Sequence, residues 1–180
     1  MTGGTTPARS DQYHFVTVWR VAATAAEVAD VLGDGAALTR WWPAVYLDAA
    51  RRTRAGREVA ELWTTGWLPY TLRWTLQLTE PVSGSGFALS ADGDLVGTGR
   101  WTFRQDGPEV EITYDWRVRA AKPLLRRLGW LLRPVFEANH HWAMARGEES
   151  LTLELRRRRT PAAVVPHPPG PTFRWLTRAH

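Results

Sequence analysis

The chain has no cysteine, two methionines and, with Lys122, a single lysine among its 180 residues. Without cysteine there can be no disulfide, no thiolate nucleophile and no zinc–thiolate site, and the composition suits a cytoplasmic location. No apolar run approaches the roughly 20 residues a membrane helix needs, and the polar N-terminus lacks the apolar core of a secretory signal. Gly97-Thr98-Gly99 has neither the third glycine nor the following helix of a dinucleotide site, and no phosphate loop or Ser-His-Asp arrangement is present. The neighbours His140 and His141 cannot both address one metal from a regular helix, and no third ligand stands at useful spacing. Neither a metal nor a cofactor is expected.

The net charge of +5 and pI near 10.4 raise a nucleic-acid reading. Almost all of the 23 basic residues are arginine, clustered at 51–57, 126–127 and 156–159, without an RNA-recognition, zinc-finger or helix-turn-helix signature. The charge therefore reads as a solvated basic surface with no nucleic-acid partner.

What the chain does contain is strict alternation. Tyr70, Leu72, Trp74, Leu76 and Leu78 share one face, opposed by Thr71, Arg73, Thr75 and Gln77. Val110, Ile112, Tyr114, Trp116 and Val118 repeat the pattern against Glu109, Glu111, Thr113, Asp115, Arg117 and Arg119. Period two with one apolar face predicts strands of an antiparallel sheet covered on one side. After Lys122-Pro123 the period turns helical, with a stripe through Leu128, Leu132, Phe136, His140, Ala143/Met144, Gly147, Leu151 and Leu155.

Between these landmarks a strand is predicted over 13–21, then a helix over 25–32 opened by a Thr24/Glu27 capping box, then a further turn over 36–41 ended before Pro43. Strands follow over 45–51, 58–65, 70–78, 87–91, 95–104 and 109–119, with Gly56, Asp92-Gly93 and Asp106-Gly107 at turns. Gly97 and Gly99, on the face of Trp101 and Phe103, suggest a bend or close approach by another element. The helix over 123–155 should kink or break at Pro134. The fold class is α+β, a curved antiparallel sheet wrapped around a long C-terminal helix, with two short helices after the first strand. One domain is expected over 12–157, flanked by a disordered tail over 1–11 and a Pro/Arg-rich extended tail over 158–180.

This order, with Tyr13-His14-Phe15, Ala26-Glu27-Val28-Ala29-Asp30-Val31-Leu32, Leu38-Thr39-Arg40-Trp41-Trp42-Pro43 and Asn139 to Leu151 at its joints, resembles the START/polyketide-cyclase superfamily, the helix-grip fold. The resemblance spans 12–157. It implies a deep apolar cavity between sheet and helix, in a superfamily whose members bind lipids, sterols, polyketides or hormones and in some cases catalyse cyclisation or dehydration.

The eleven tryptophans carry the strongest local signal. Trp74, Trp101 and Trp116, with Phe103, Phe136 and Met144, are the expected ligand-contacting set, while Trp41, Trp42, Trp63 and Trp67 are expected to cluster at the turn-rich end of the sheet. Such rings either fill a core or line a pocket, and the resemblance favours the pocket. His140 on the apolar stripe is the leading acid–base candidate, followed by Tyr114, Tyr70 and Glu61. Glu61 qualifies if Val59, Glu61 and Trp63 face inward, and drops out if Glu58, Ala60 and Leu62 do. Two functions follow: binding of an apolar small molecule such as a lipid or polyketide, or a polyketide cyclase/dehydratase-type enzyme using those four residues. The tail, with Arg156–Arg159 and Phe173-Arg174-Trp175-Leu176, is either an extended segment or a weak contact for an anionic membrane.

Overall fold

The computed structural model describes residues 12–121, 123–161 and 164–173, with side chains placed from 133 onward in the last helix. The order is β1 (Gln12–Val21), α1 (Ala25–Leu32), a 3-10 turn (Gly35–Ala37), α2 (Leu38–Trp41), β2 (Tyr46–Arg54), β3 (Arg57–Thr65), β4 (Thr71–Leu78), β5 (Gly86–Gly93), β6 (Leu95–Asp106), β7 (Glu109–Ala120) and α3 (Pro123–Arg159). The seven strands form one sheet in the order β1-β7-β6-β5-β4-β3-β2, with every neighbour antiparallel. β2 to β7 are a meander, and β1 closes on β7 rather than on its sequence neighbour. This is the helix-grip arrangement.

Local chemistry explains the joints. Thr24 accepts from the Glu27 backbone N–H, and the Glu27 carboxylate accepts from the Thr24 backbone N–H at 2.8 Å, so both ends of the capping box are made. The β2–β3 turn passes through Ala55 (φ 48°) and Gly56 (φ 74°). The close approach anticipated at Gly97 and Gly99 is real. A Cβ on Gly97 would sit 2.0 Å from the Arg117 carbonyl oxygen, and one on Gly99 2.7 Å from Tyr114 Oη.

Pairing settles the undecided strand. Ala60 stands opposite Leu76 and Leu62 opposite Trp74, and residues directly opposite in an antiparallel ladder share a face. Glu58, Ala60, Leu62 and Thr64 therefore face inward. Glu61 and Trp63 are on the convex side, opposite Thr75 and Arg73. In β2 the register slips between Tyr46 and Asp48, a bulge that leaves Leu47 unpaired. Asp48 faces out with Trp63, whereas Tyr46, opposite Thr64, faces in.

Two expectations about the helix change. α3 runs unbroken through Pro134, and it reaches Arg159 instead of ending near Leu155. Proline deletes one intrahelical donor, yet the helix does not break there, and Phe136, His140 and Met144 in the following turns face the concave side of the sheet. The four arginines expected at the start of the tail belong to its last turn, where cations suit the helix C-terminus. Arg157 and Arg158, with Arg40 from α2, donate to the Glu154 carboxylate, whose side chain is only 2% exposed, at 2.7, 3.0 and 2.9 Å. Arg159 clasps Glu27 at 2.7 Å and donates to the Ala22 carbonyl at 2.8 Å, tying the end of α3 to the start of α1. Segments 1–11 and 174–176, and the side chains of Leu128 and Leu132, lie outside the described residues.

One half of the concave face is solid. Val28 and Val31 from α1, Phe103, Val110 and Ile112 from the sheet, and Leu151 and Leu155 from α3 are buried in a single cluster. No helix among the described residues is long and apolar enough to cross a membrane.

Candidate functional site

The other half of the concave face is open. A cavity of about 340 Å³ lies between the sheet and the middle of α3, lined mainly by apolar side chains. All four tyrosines of the chain line it: Tyr13, Tyr46, Tyr70 and Tyr114. Each arrives by a different route. Tyr13 and Tyr114 lie on inward positions of β1 and β7, Tyr70 immediately precedes β4, and Tyr46 is turned inward by the bulge at Leu47.

One side of the cavity is an aromatic circuit. Tyr46 meets Trp42 at 5.3 Å between ring centroids, Trp42 meets Trp19 at 5.6 Å, and Trp19 meets Trp101 at 5.3 Å. Trp101 stacks on Tyr114 at 4.0 Å, Tyr114 on Trp116 at 5.6 Å, and Trp116 meets Trp74 at 6.0 Å. Trp74 Nε1 donates to Thr64 Oγ1 at 3.1 Å, and Thr64 is paired with Tyr46, which closes the loop. All of these side chains except Trp19 line the cavity. Burial pushes the Tyr46 phenol above its ordinary pKa. It pushes Tyr114 well above, with a further contribution from Tyr46, so both remain protonated throughout the neutral range.

A second cluster gathers where α3 crosses β1. Phe15 stacks on His140 at 3.9 Å, Tyr13 stacks on Phe15 at 5.8 Å, and Phe136 stands perpendicular to both Tyr13 and Tyr70 at 6.2 and 6.3 Å. His140 Nε2 lies 3.5 Å from Thr17 Oγ1. Burial, aided by the neighbouring His141, lowers the His140 pKa to about 4, so its imidazole is neutral at pH 7. Tyr70 is raised to about 12, chiefly by burial. Asn139 Oδ1 accepts from the Trp67 backbone N–H at 2.9 Å and thereby pins the β3–β4 loop, and Tyr70 with it, against α3. The far end of the cavity is polar. There Arg51 donates to Asp34 Oδ1 at 3.1 Å beside the inward-facing Glu58.

Of the residues singled out in the sequence, His140, Tyr114, Tyr70, Trp74, Trp101, Trp116, Phe136 and Met144 all line the cavity. Two do not. Glu61 is on the convex face, 38% exposed and paired with Arg54 at 3.0 Å and Arg52 at 3.6 Å, because the β3 register puts odd positions outside. Phe103 is buried beyond the cavity against Phe87, in the part of β6 that α1 covers. The expected quartet of tryptophans also divides. Trp41 and Trp42 are buried in the core, whereas Trp63 stacks under the Arg73 guanidinium on the convex face and Trp67 is exposed.

Sequence reasoning missed Tyr13, Phe15, Trp42, Tyr46, Thr64 and Asn139. The alternation Tyr13, Phe15, Thr17, Trp19 in β1 contained the signal for the first two. Nothing local marks Tyr46 as inward.

Chemically, the site offers an apolar cavity with protonated phenols and one neutral imidazole on its wall and a polar end at Arg51 and Glu58. It can hold a planar or extended apolar molecule and donate hydrogen bonds to its oxygens. Among the described residues no group of three or more His, Asp or Glu side chains is placed to hold a metal ion.

No family model matches the chain, and no curated protein does. Among solved structures it is similar to the Zhui aromatase/cyclase from Streptomyces sp. R1128, at 18% identity over 85% of this chain and 99% of that one, with a TM-score of 0.64. It is also similar to a START superfamily protein from Mycobacterium smegmatis, at 17% identity over 77% and 99% of the two chains, TM-score 0.56. The di-domain ARO/CYC BexL from the BE-7585A biosynthetic pathway matches at 14% identity over 79% of this chain and 50% of that one, TM-score 0.58. Likeness at these identities establishes the fold.

Proposed function

We propose, for a chain with the START/polyketide-cyclase fold, that the cavity binds an apolar small molecule of polyketide or similar aromatic character. The observation that carries this reading is the cavity itself, about 340 Å³ of space walled by tryptophan, phenylalanine and leucine with tyrosine hydroxyls at defined points. Pockets of this size and lining suit compact organic ligands. Native mass spectrometry of freshly purified protein, together with titration of an environment-sensitive apolar dye, tests it. The expected result is saturable dye binding at one site, weakened by substituting arginine for Trp74. Absence of both co-purified ligand and dye binding would sink the proposal.

A second reading, cyclase or dehydratase chemistry in the same cavity, is favoured by one observation. Tyr114 lines the cavity, and no hydrogen bond joins its hydroxyl to a described residue. It is a protonated donor ready to polarise a substrate carbonyl. His140, neutral and a weak base, would accept a proton locally. Turnover of a poly-β-ketone substrate by wild type, with losses in Tyr114→Phe and His140→Ala, is the expected outcome. Full turnover in both variants would remove these residues from the mechanism.

A further inference from the structure

We infer that the cavity has its mouth between the segment 33–36 and the adjoining ends of β3 and β4, and that Glu58 there selects the ligand's outer end. A ligand ending in a hydrogen-bond donor, a hydroxyl or an uncharged amine, is favoured over one ending in a carboxylate. The inference rests on the proposed binding function and specifies which end of the ligand stays at the surface and what it carries.

Exposure locates the mouth. Of the residues lining the cavity, Ala36, Arg51, Glu58 and Leu78 are exposed, and all the others are buried or half-buried. Strand pairing brings three of them to one corner of the inward face. Arg51 stands opposite Ala60 and Glu58 opposite Thr53, so the two are diagonal neighbours within reach of long side chains. Leu78, 42% exposed, follows Leu76 on the same face of β4, and Leu76 is itself opposite Ala60. The segment 33–36 crosses above this corner. A Cβ on Gly33 would lie 2.8 Å from Val82 Cγ1, one on Gly35 3.6 Å from the Ala60 Cβ, and Arg51 moors Asp34 to β2 at 3.1 Å.

Charge sets what the mouth accepts. The Arg51 guanidinium is engaged by Asp34, whereas the Glu58 carboxylate has no hydrogen bond or ion pair with a described residue. Asp34 and Glu58 therefore outnumber Arg51 at this opening. The other arginines of the hairpin, Arg52, Arg54 and Arg57, alternate to the convex face, where the first two pair with Glu61. An ionised carboxylate only accepts hydrogen bonds. A ligand hydroxyl or amine meets that requirement, while a ligand carboxylate meets a like charge beside an apolar wall that screens it poorly.

The test uses the full chain at neutral pH and three fluorescent probes with one ring system: anthracene, 2-aminoanthracene and anthracene-2-carboxylate. All three should compete for a single site. The amine should bind roughly tenfold more tightly than the carboxylate, the equivalent of one hydrogen bond. Glu58→Gln, which keeps an acceptor but removes the charge, should strengthen carboxylate binding and erase most of that preference. Glu58→Leu should also weaken the amine. Glu61→Gln removes the same charge from the outward side of the same strand and should leave the ratio unchanged. The selection is refuted if anthracene binds while the carboxylate matches the amine, or if Glu58→Gln moves the ratio no further than Glu61→Gln does; in either case the binding function stands. If none of the three binds the wild type, the binding function itself fails and the selection falls with it.

Discussion

Replacing Gly147 by alanine sets a gain in helix propensity against a steric loss, and the structure decides the sign. Alanine is favoured over glycine inside a helix by about 1 kcal/mol, and Gly147 is in the interior of α3. Its new Cβ would lie 2.4 Å from Trp42 Cζ2, 2.7 Å from Trp42 Cε2 and 2.8 Å from Trp19 Cη2. Carbon atoms rest at about 3.5–4.0 Å, so the indoles must retreat by roughly 1 Å. Trp19 lies outside the cavity lining and has no free space for that, and Trp42, which borders the cavity, is held between Trp19, Trp41 and Tyr46. Both are buried, in contact with each other, and backed by Trp41, Tyr46 and Trp101. Overpacking costs about 1–3 kcal/mol in ordinary cores, and two rings in an aromatic circuit put this site at the upper end. The expected net loss is about 2 kcal/mol, a Tm lower by about 4–8 °C for a chain of this size. Urea unfolding followed by tryptophan fluorescence measures it. Ala145→Gly, exposed on the same helix, calibrates the propensity contribution alone and should lose about 1 kcal/mol. A Gly147→Ala protein as stable as wild type, or more so, would refute the packing argument.

Glu154→Gln should destabilise by about 1–3 kcal/mol, below the usual cost of breaking a buried ion pair because its arginine partners are partly solvated. Desolvation raises the Glu154 pKa, but hydrogen bonds from Arg158 and Arg157 and the Arg40 charge outweigh it and hold the carboxyl below its ordinary value. Its contribution is therefore present above the ordinary carboxylate range and fades as pH falls, so wild-type and variant denaturation midpoints should converge in acid. His140 runs the same way for a different reason. Its pKa falls from 6.5 to about 4 on folding, so the unfolded chain binds the extra proton between those values. Stability should rise with pH across that window by at most about 3 kcal/mol and then level off, and His140→Phe should flatten the slope. Two-dimensional NMR of the histidine rings would expose a normal pKa and overturn this. Thr24→Ala should cost about 1 kcal/mol through loss of the capping box, read by thermal melts; an unchanged Tm would contradict the cap's role.

Much of the fold was legible along the chain because its signals are local. Side-chain alternation in β4 and β7, the Thr24/Glu27 box, the turn at Asp92-Gly93 and the helical stripe of α3 are each set by the geometry of neighbouring residues. They define seven strands, a one-sided sheet and the helix that covers it. That stripe and those faces are enough to place His140, Tyr114, Tyr70, Trp74, Trp101, Trp116, Phe136 and Met144 on the wall of the cavity, five of the six residues expected there for ligand contact among them. The sixth, Phe103, has the right parity but the wrong position along β6. Parity decides which face a residue takes, whereas α1 decides which part of that face is filled.

The remainder belongs to tertiary structure. Glu61 or Glu58 inward was a choice between two self-consistent patterns, and only the pairing of Leu62 with Trp74 resolved it. Tyr46 faces the cavity because one residue of β2 is left unpaired, a property of two strands together that neither encodes alone. The alternating strands by themselves established an apolar face. Whether its rings fill or line the interior depends on a volume summed over the sheet, α1 and α3. The answer is both: filled beneath α1, where Val110 and Ile112 are sealed, and lined beneath the middle of α3, where Tyr114 and Trp116 face open space.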